Sequence, residues 1–259
     1  MLNYKIENNN SNQWIIFLHG IGGSINTWKK QVDDFTSYNL LLIDLPGHGE
    51  SKTEEKITHT YVNNSIKEVM DYLNIEKADF VGLSLGTLVA AHFAIKYPER
   101  VKTLTMGGAV IRVEGIYKFL MRLIQCVKRF MPHRMLFHIM AHIMLPKKNH
   151  AKSRKIFIRE SLKMTRKMFL SWISYISEIA HPDKLIAMLK QLKIKTFFVS
   201  GDEDRCFLEG TKKVSSSLSK STLYIIKKCG HVCSIEKAKE FNAAVLNFLQ
   251  NKNKQPILT

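Results

Sequence analysis

A short apolar run, Ala78–Val81, passes directly into Gly82-Leu83-Ser84-Leu85-Gly86, and Thr87-Leu88-Val89-Ala90-Ala91 follows at once. The run has the character of a buried strand and the segment beyond it that of a helix. A strand that becomes a helix within five residues must turn sharply, and glycines on both sides of Ser84 give the chain room to do so. Such a turn strains the serine backbone. It also lifts the hydroxyl clear of the sheet, at a helix N-terminus where developing negative charge is favoured.

The rest of the chain agrees with an α/β architecture. Trp14–Leu18, Leu40–Ile43, Val101–Met106, Thr196–Val199 and Thr222–Ile226 are short, β-rich and closed by turn signals, as buried parallel strands are. Helical patterns lie between or beyond them at Thr27–Phe35, Tyr61–Leu73, Leu85–Ala94 and Phe241–Leu249. The alternation predicts a mostly parallel, doubly wound sheet with helices on both faces. A length of 259 residues suits one such domain, or a core carrying one insertion.

Between about Ile111 and Leu189 helix follows helix with no strand. Ile116–Met131 reads as one amphipathic helix, with Lys118, Arg122, Gln125 and Arg129 on one face. Ile116, Phe119, Leu120, Leu123, Val127 and Phe130 occupy the other. Lys152–Ile179 reads as a second, with a basic stripe opposite Phe157, Met164, Met168 and Trp172. The chain carries a net charge of +17, and residues 112–167 supply most of it: 15 Lys and Arg against Glu114 and Glu160. This shift predicts a basic helical cap at residues 111–188, inserted between core segments 1–110 and 189–259. Its apolar faces are expected to point to the sheet and its basic stripes outward.

Four further segments bear on chemistry. His19-Gly20-Ile21-Gly22-Gly23 follows a strand; it either aims a backbone N–H into a site or simply connects strand to helix. Asp44-Leu45-Pro46-Gly47-His48-Gly49-Glu50-Ser51 reads as a structural turn on the site floor. Ser200-Gly201-Asp202-Glu203-Asp204 and Cys229-Gly230-His231-Val232 each lie just past a strand. Serine, then acid, then histidine, each beyond the C-terminal end of a strand, is the order of a hydrolase triad on such a sheet.

With all five motifs in order, the chain resembles the α/β-hydrolase superfamily, in its cap-bearing serine esterase, lipase-like and carbon–carbon-hydrolase branch, over about residues 14–110 and 190–250. The resemblance implies Ser84 as nucleophile, His231 as base and Asp204 as the orienting acid, with Asp202 as the alternative acid. It implies an oxyanion hole made by the backbone N–H groups of Ile21 and Leu85. Serine at the turn excludes the branches that place aspartate there. The implied activity is cleavage of an apolar carboxylic ester, a small-molecule substrate, through an acyl-enzyme and without a cofactor. Carbon–carbon hydrolysis, or a lyase reaction, on a small acid is the alternative, and an Arg or Lys facing inward from the cap would favour it. A non-catalytic ligand-binding protein of the same fold is the other alternative.

Cys206, Cys229, His231 and Cys233 match no common zinc spacing, so no metal is expected. The basic block has no nucleic-acid reader motif and no interleaved aromatics, so no nucleic-acid partner is expected. Its stripes are a solvated face, or a contact with an anionic membrane surface or an anionic substrate. The cap methionines, Met121, Met131, Met135, Met140, Met144, Met164 and Met168, are either an adaptable acyl pocket or ordinary packing. No stretch of about 18 apolar residues occurs. The N-terminus reads as no secretory signal, and four cysteines in a chain of this size read as reduced thiols, so a cytoplasmic location is expected. Oligomeric state is left open.

Overall fold

The computed structural model describes residues 1–177 and 182–250. Its strands are β1 (Tyr4–Glu7), β2 (Trp14–Leu18), β3 (Asn39–Ile43), β4 (Ala78–Leu83), β5 (Val101–Gly107), β6 (Lys195–Gly201) and β7 (Ser221–Ile226). They form one sheet in the order β1-β3-β2-β4-β5-β6-β7. Among the described residues only β1, beside β3, runs antiparallel; every other pairing is parallel.

Successive side chains of a strand point to opposite faces, and here both faces are buried. On β2, Ile16 and Leu18 join one apolar cluster while Ile15 and Phe17 join the other. The core helices are α1 (Lys29–Val32), α2 (His59–Tyr72), α3 (Leu85–Lys96), α9 (Leu208–Ser217), α10 (Cys233–Glu236) and α11 (Ala238–Gln250). Helix α3 is buried almost all round, which is why Leu85–Ala94 carries no polar face. The expected helix at Thr27–Phe35 is instead a 3₁₀ turn, Ile25–Trp28, capped by Ser24, followed by the single turn of α1.

Among the described residues five α-helices lie between β5 and β6: α4 (Gly115–Val127), α5 (His133–Met144), α6 (Ala151–Ser161), α7 (Arg166–Ile176) and α8 (Pro182–Gln191). Two expectations fail here. The stretch Lys152–Ile179 is two helices, α6 and α7, and Ile179 lies outside the described residues. The chain breaks after Ser161 and restarts where the Thr165 hydroxyl accepts the Met168 N–H as an N-cap. The break seats Ser161 against Gly22, where a Cβ on the glycine would lie 2.5 Å from the Ser161 Cβ.

The second failure is the orientation of α4. Its apolar residues divide between two faces. Tyr117, Leu120 and Ile124 face inward to a cavity. Ile116, Phe119 and Leu123, with Phe130 just beyond the helix, are exposed by 63%, 61%, 48% and 87%. The apolar side of this helix is therefore wider than the surface available to cover it.

Candidate active site

The strain expected at Ser84 is present. The residue has φ 52° and ψ −118°, a region that L side chains rarely adopt. Its N–H donates to the Gly107 carbonyl (2.9 Å), and its own carbonyl accepts from Thr87 Oγ1 (2.6 Å). The flanking glycines are needed for close approach. A Cβ on Gly86 would sit 2.0 Å from the Leu18 carbonyl oxygen, and one on Gly82 2.6 Å from the Gly86 backbone. The turn packs β4, α3 and the end of β2 closer than any side chain allows.

The ends of three strands bring the separated motifs together. Ser84 Oγ lies 2.8 Å from His231 Nε2, and His231 Nδ1 lies 2.8 Å from Asp204 Oδ2. Both histidine and aspartate are almost wholly buried. A carboxylate can only accept, so Nδ1 carries the proton and Nε2 is left to accept from the serine hydroxyl. Asp202, the alternative acid, stands elsewhere: its Oδ1 accepts the Cys229 N–H at 3.2 Å. The Phe207 ring lies 4.8 Å from the imidazole and shields its side.

Ile21 and Leu85 border the same cavity as Ser84. The Leu85 N–H is one of the first-turn donors of α3, which have no partner within the helix. The Gly-rich turn is fixed by His19, whose Nδ1 donates to the Gly20 carbonyl (2.8 Å) and whose Nε2 accepts the Leu45 N–H (3.1 Å). Burial, the largest influence on this ring, lowers its pKa and keeps it neutral as that pairing requires. Asp44 holds the neighbouring turn, accepting from Ile25 N–H, Glu50 N–H and Asn3 Nδ2.

The cavity against Ser84 is almost entirely apolar. Val110 and Val113 line it from the core, Leu120 and Ile124 from α4, Met140, Ile143 and Met144 from α5, and Ile173 and Ile176 from α7. Its polar side chains among the described residues are the Ser84 and Tyr117 hydroxyls and the Cys206 thiol; no Lys, Arg or His is among the described lining residues. Two of the cap methionines thus line the cavity. Met164 and Met168 are buried, Met168 beside Gly47, and Met135 is exposed. A second cavity also borders Ser84, along Gly20–Gly23, Ser153, Phe157, Glu160 and His231.

One arrangement is not visible in the sequence motifs. Glu203, between the two aspartates, is held by Lys147 Nζ (2.6 Å), Asn149 Nδ2 (2.8 Å) and His150 Nε2 (2.8 Å) from the inserted segment. The Asn149 and Lys147 hydrogen bonds hold its carboxyl down at about 2. Glu236 accepts the N–H groups of Gly230 (3.0 Å) and Val232 (3.3 Å), on either side of His231. Glu203 thus ties the acid loop to the insertion, and its own N–H donates to the Cys229 carbonyl (2.8 Å), joining that loop to the histidine loop. The only signal in the sequence was a third acid in Ser200–Asp204.

The cysteines are free thiols. Burial pushes those of Cys206 and Cys233 up to about 12. Among the described residues no three potential ligands gather around a metal position, and no helix is long and apolar enough to cross a membrane.

Residues 13–121 match the family described as alpha/beta hydrolase fold. A 2-hydroxy-6-oxononadienedioate/2-hydroxy-6-oxononatrienedioate hydrolase of Escherichia coli (strain K12 / DH10B) is 28% identical, over 91% of this chain and 86% of that protein. The enzyme of that name from Comamonas testosteroni is 27% identical, over 96% and 92%. Among solved structures, MGS-M2, an alpha/beta hydrolase enzyme from a Medee basin deep-sea metagenome library, superposes with a TM-score of 0.79. It is 26% identical, and the match covers 99% of this chain and 97% of that one.

Proposed function

From the premise that this chain is a hydrolase of the α/β-hydrolase superfamily, we propose that it breaks a carbon–carbon bond beside the carbonyl of an apolar acyl group, with Ser84 as nucleophile. The observation that carries the reading is the Ser84–His231–Asp204 hydrogen-bond relay opening onto an apolar cavity.

His231 takes the Ser84 proton as the oxygen attacks the carbonyl carbon. Asp204 fixes the tautomer and stabilises the imidazolium. The tetrahedral oxyanion lies against the N–H groups of Ile21 and Leu85, each such donor being worth about 3–4 kcal/mol of barrier. Collapse breaks the bond on the far side of the carbonyl carbon. The departing electron pair is protonated by His231, so the leaving group belongs on the histidine side, in the second cavity, and the acyl chain in the apolar one. Water, activated by the same histidine, then releases the acid.

Ester cleavage was the first expectation from the sequence, and the relatives shift the weight to a carbon–carbon bond. Both carry names that specify a 6-oxo dienedioate or trienedioate substrate. A carbanion can leave only if its electron pair is delocalised, so a 2-hydroxydienoate must first ketonise to its 2-oxo-3-enoate tautomer, whose conjugated carbonyl oxygen takes the pair and is then protonated to give the dienol. The cavity narrows the substrate further. A second carboxylate on the acyl side would meet no cation among the described lining residues, and leaving it unpaired there costs several kcal/mol. The acyl side should therefore be an uncharged alkyl or aryl group.

Ester hydrolysis stays as a second reading because of one observation. Glu160, though paired with Arg159 and Lys163, brings a carboxylate to the second cavity, where a carboxylated leaving group would have to sit, and no Lys or Arg is among the described residues lining it. Purified protein should be assayed on 6-alkyl 2-hydroxy-6-oxo-dienoates, on the dienedioate and on p-nitrophenyl esters of graded chain length. Preference for the 6-alkyl dienoate supports the reading. Turnover of esters alone replaces it with the second reading, and turnover of none of them, with no labelling of Ser84 by a fluorophosphonate, overturns both.

A further inference from the structure

We propose that the outward face of α4 is a docking surface for an anionic lipid bilayer. Ile116, Phe119 and Leu123 stand at i, i+3 and i+7 on that face and Phe130 continues it, all well exposed. Solvent-exposed phenylalanines in a row are costly unless something covers them. The adjoining arc of the same helix carries Lys118 and Arg122, and Arg129 follows in line. Among the described residues none of the three forms a salt bridge, and residues 115–131 contain no acid. An apolar ridge with a basic margin is the pattern of a helix lying in a membrane interface, ridge in the acyl boundary and cations among headgroups.

Charge and size favour a bilayer over a second copy of this chain. A twofold contact would set the basic margin against itself. The ridge of a 13-residue helix is also roughly 20 Å by 10 Å, far below the ~800 Å² per partner of a stable interface. An anionic bilayer complements the charge and needs no matching shape. The inward side of the same helix supplies Tyr117, Leu120 and Ile124 to the apolar cavity. The cavity then lies about one helix diameter, ~10 Å, from the bound surface, so an apolar substrate dissolved in lipid would reach it through a short path.

The test is flotation of the full chain with neutral phosphatidylcholine vesicles and with vesicles containing about one-third phosphatidylglycerol, at low and high salt. Preferential, salt-weakened binding to the anionic vesicles is expected. Phe119→Ser combined with Phe130→Ser should lower binding to anionic vesicles about tenfold. Arg122→Gln and Arg129→Gln should each lower it about fivefold and leave the weak binding to neutral vesicles unchanged. These side chains point away from the cavity, so hydrolysis of a short soluble substrate should be unaffected, and unchanged melting temperatures check the fold. The binding assay reads the same whether or not the proposed chemistry is right. Absence of binding, equal and salt-insensitive binding to both vesicles, or Phe variants that bind as before would overturn the proposal. So would a concentration-dependent dimer that the Phe variants dissolve, which would identify a second copy as the occupant.

Discussion

Replacing Asp204 by Asn tests the relay at its least replaceable point. Asp204 is fully buried, and its Oδ2 accepts the His231 Nδ1–H at 2.8 Å. An amide nitrogen turned toward Nδ1 would donate there, driving the ring proton to Nε2, where it can no longer accept from Ser84. Loss of the productive tautomer costs about 10⁴ in turnover, or about 5.4 kcal/mol of barrier. If the amide oxygen turns to Nδ1 instead, the tautomer survives without its charge and the loss is smaller. Stability should respond differently. Asp204 Oδ1 is buried and has no hydrogen-bond partner among the described residues, so neutralising this side chain removes a poorly compensated charge. The variant should fold with a stability within about 1 kcal/mol of wild type. Steady-state kinetics on the best substrate, with thermal melts alongside, measure both. If Asp204→Asn loses less than tenfold while Asp202→Asn is crippled, the acid has been assigned to the wrong residue.

Ser84→Ala should abolish turnover while leaving the melting temperature near that of wild type, and a fluorophosphonate should label the wild type at Ser84 only; labelling elsewhere would remove the nucleophile assignment. Gly86→Ala places a Cβ 2.0 Å from the Leu18 carbonyl oxygen, a backbone atom that cannot swing aside, and should cost about 3 kcal/mol, read as a melting temperature lower by roughly 6–12 °C. Glu203→Gln should change the acid limb of stability. The folded carboxyl sits at about 2 against an ordinary 4.5, so its charged form contributes stability above the higher value and loses it as pH falls toward the lower. Denaturant titrations between those limits should show a steeper decline in wild type than in the Gln variant, and parallel curves would refute the link.

Local rules made the core and the candidate triad readable. Gly82–Gly86 can only bridge a strand and a helix that nearly touch, and the structure accounts for both glycines by contacts of 2.0 and 2.6 Å. Six of the seven strands were visible because each is an apolar run closed by a turn. The missing one, β1, is a four-residue antiparallel edge strand, Tyr-Lys-Ile-Glu, with only half its surface to bury. The hold on Glu203 was hidden for another reason. Lys147, Asn149 and His150 lie more than fifty positions from it, and nothing local in either segment announces a partner.

The misreading of α4 follows from what periodicity measures. A period of 3.6 reports that apolar residues share a side of a helix; it does not report how wide the covering surface is. On α4 the apolar arc runs from Ile124 through Leu120 and Ile116 to Phe119, well over a third of the circumference. The cavity roof takes one edge, Tyr117, Leu120 and Ile124, and leaves the other in solvent. Rotating the helix to bury the phenylalanines would carry Arg122, on the adjoining arc, toward the apolar cavity and would withdraw Tyr117 and Ile124 from the wall. The observed orientation therefore keeps the wall complete and leaves an apolar ridge beside Lys118 and Arg122, which form no salt bridge among the described residues. A helix under selection only to roof the cavity would need apolar residues on the inner edge alone, and the outer edge could be polar at no cost to packing. That it holds two phenylalanines, an isoleucine and a leucine is what makes a second surface, rather than imperfect folding, the economical account of the insertion.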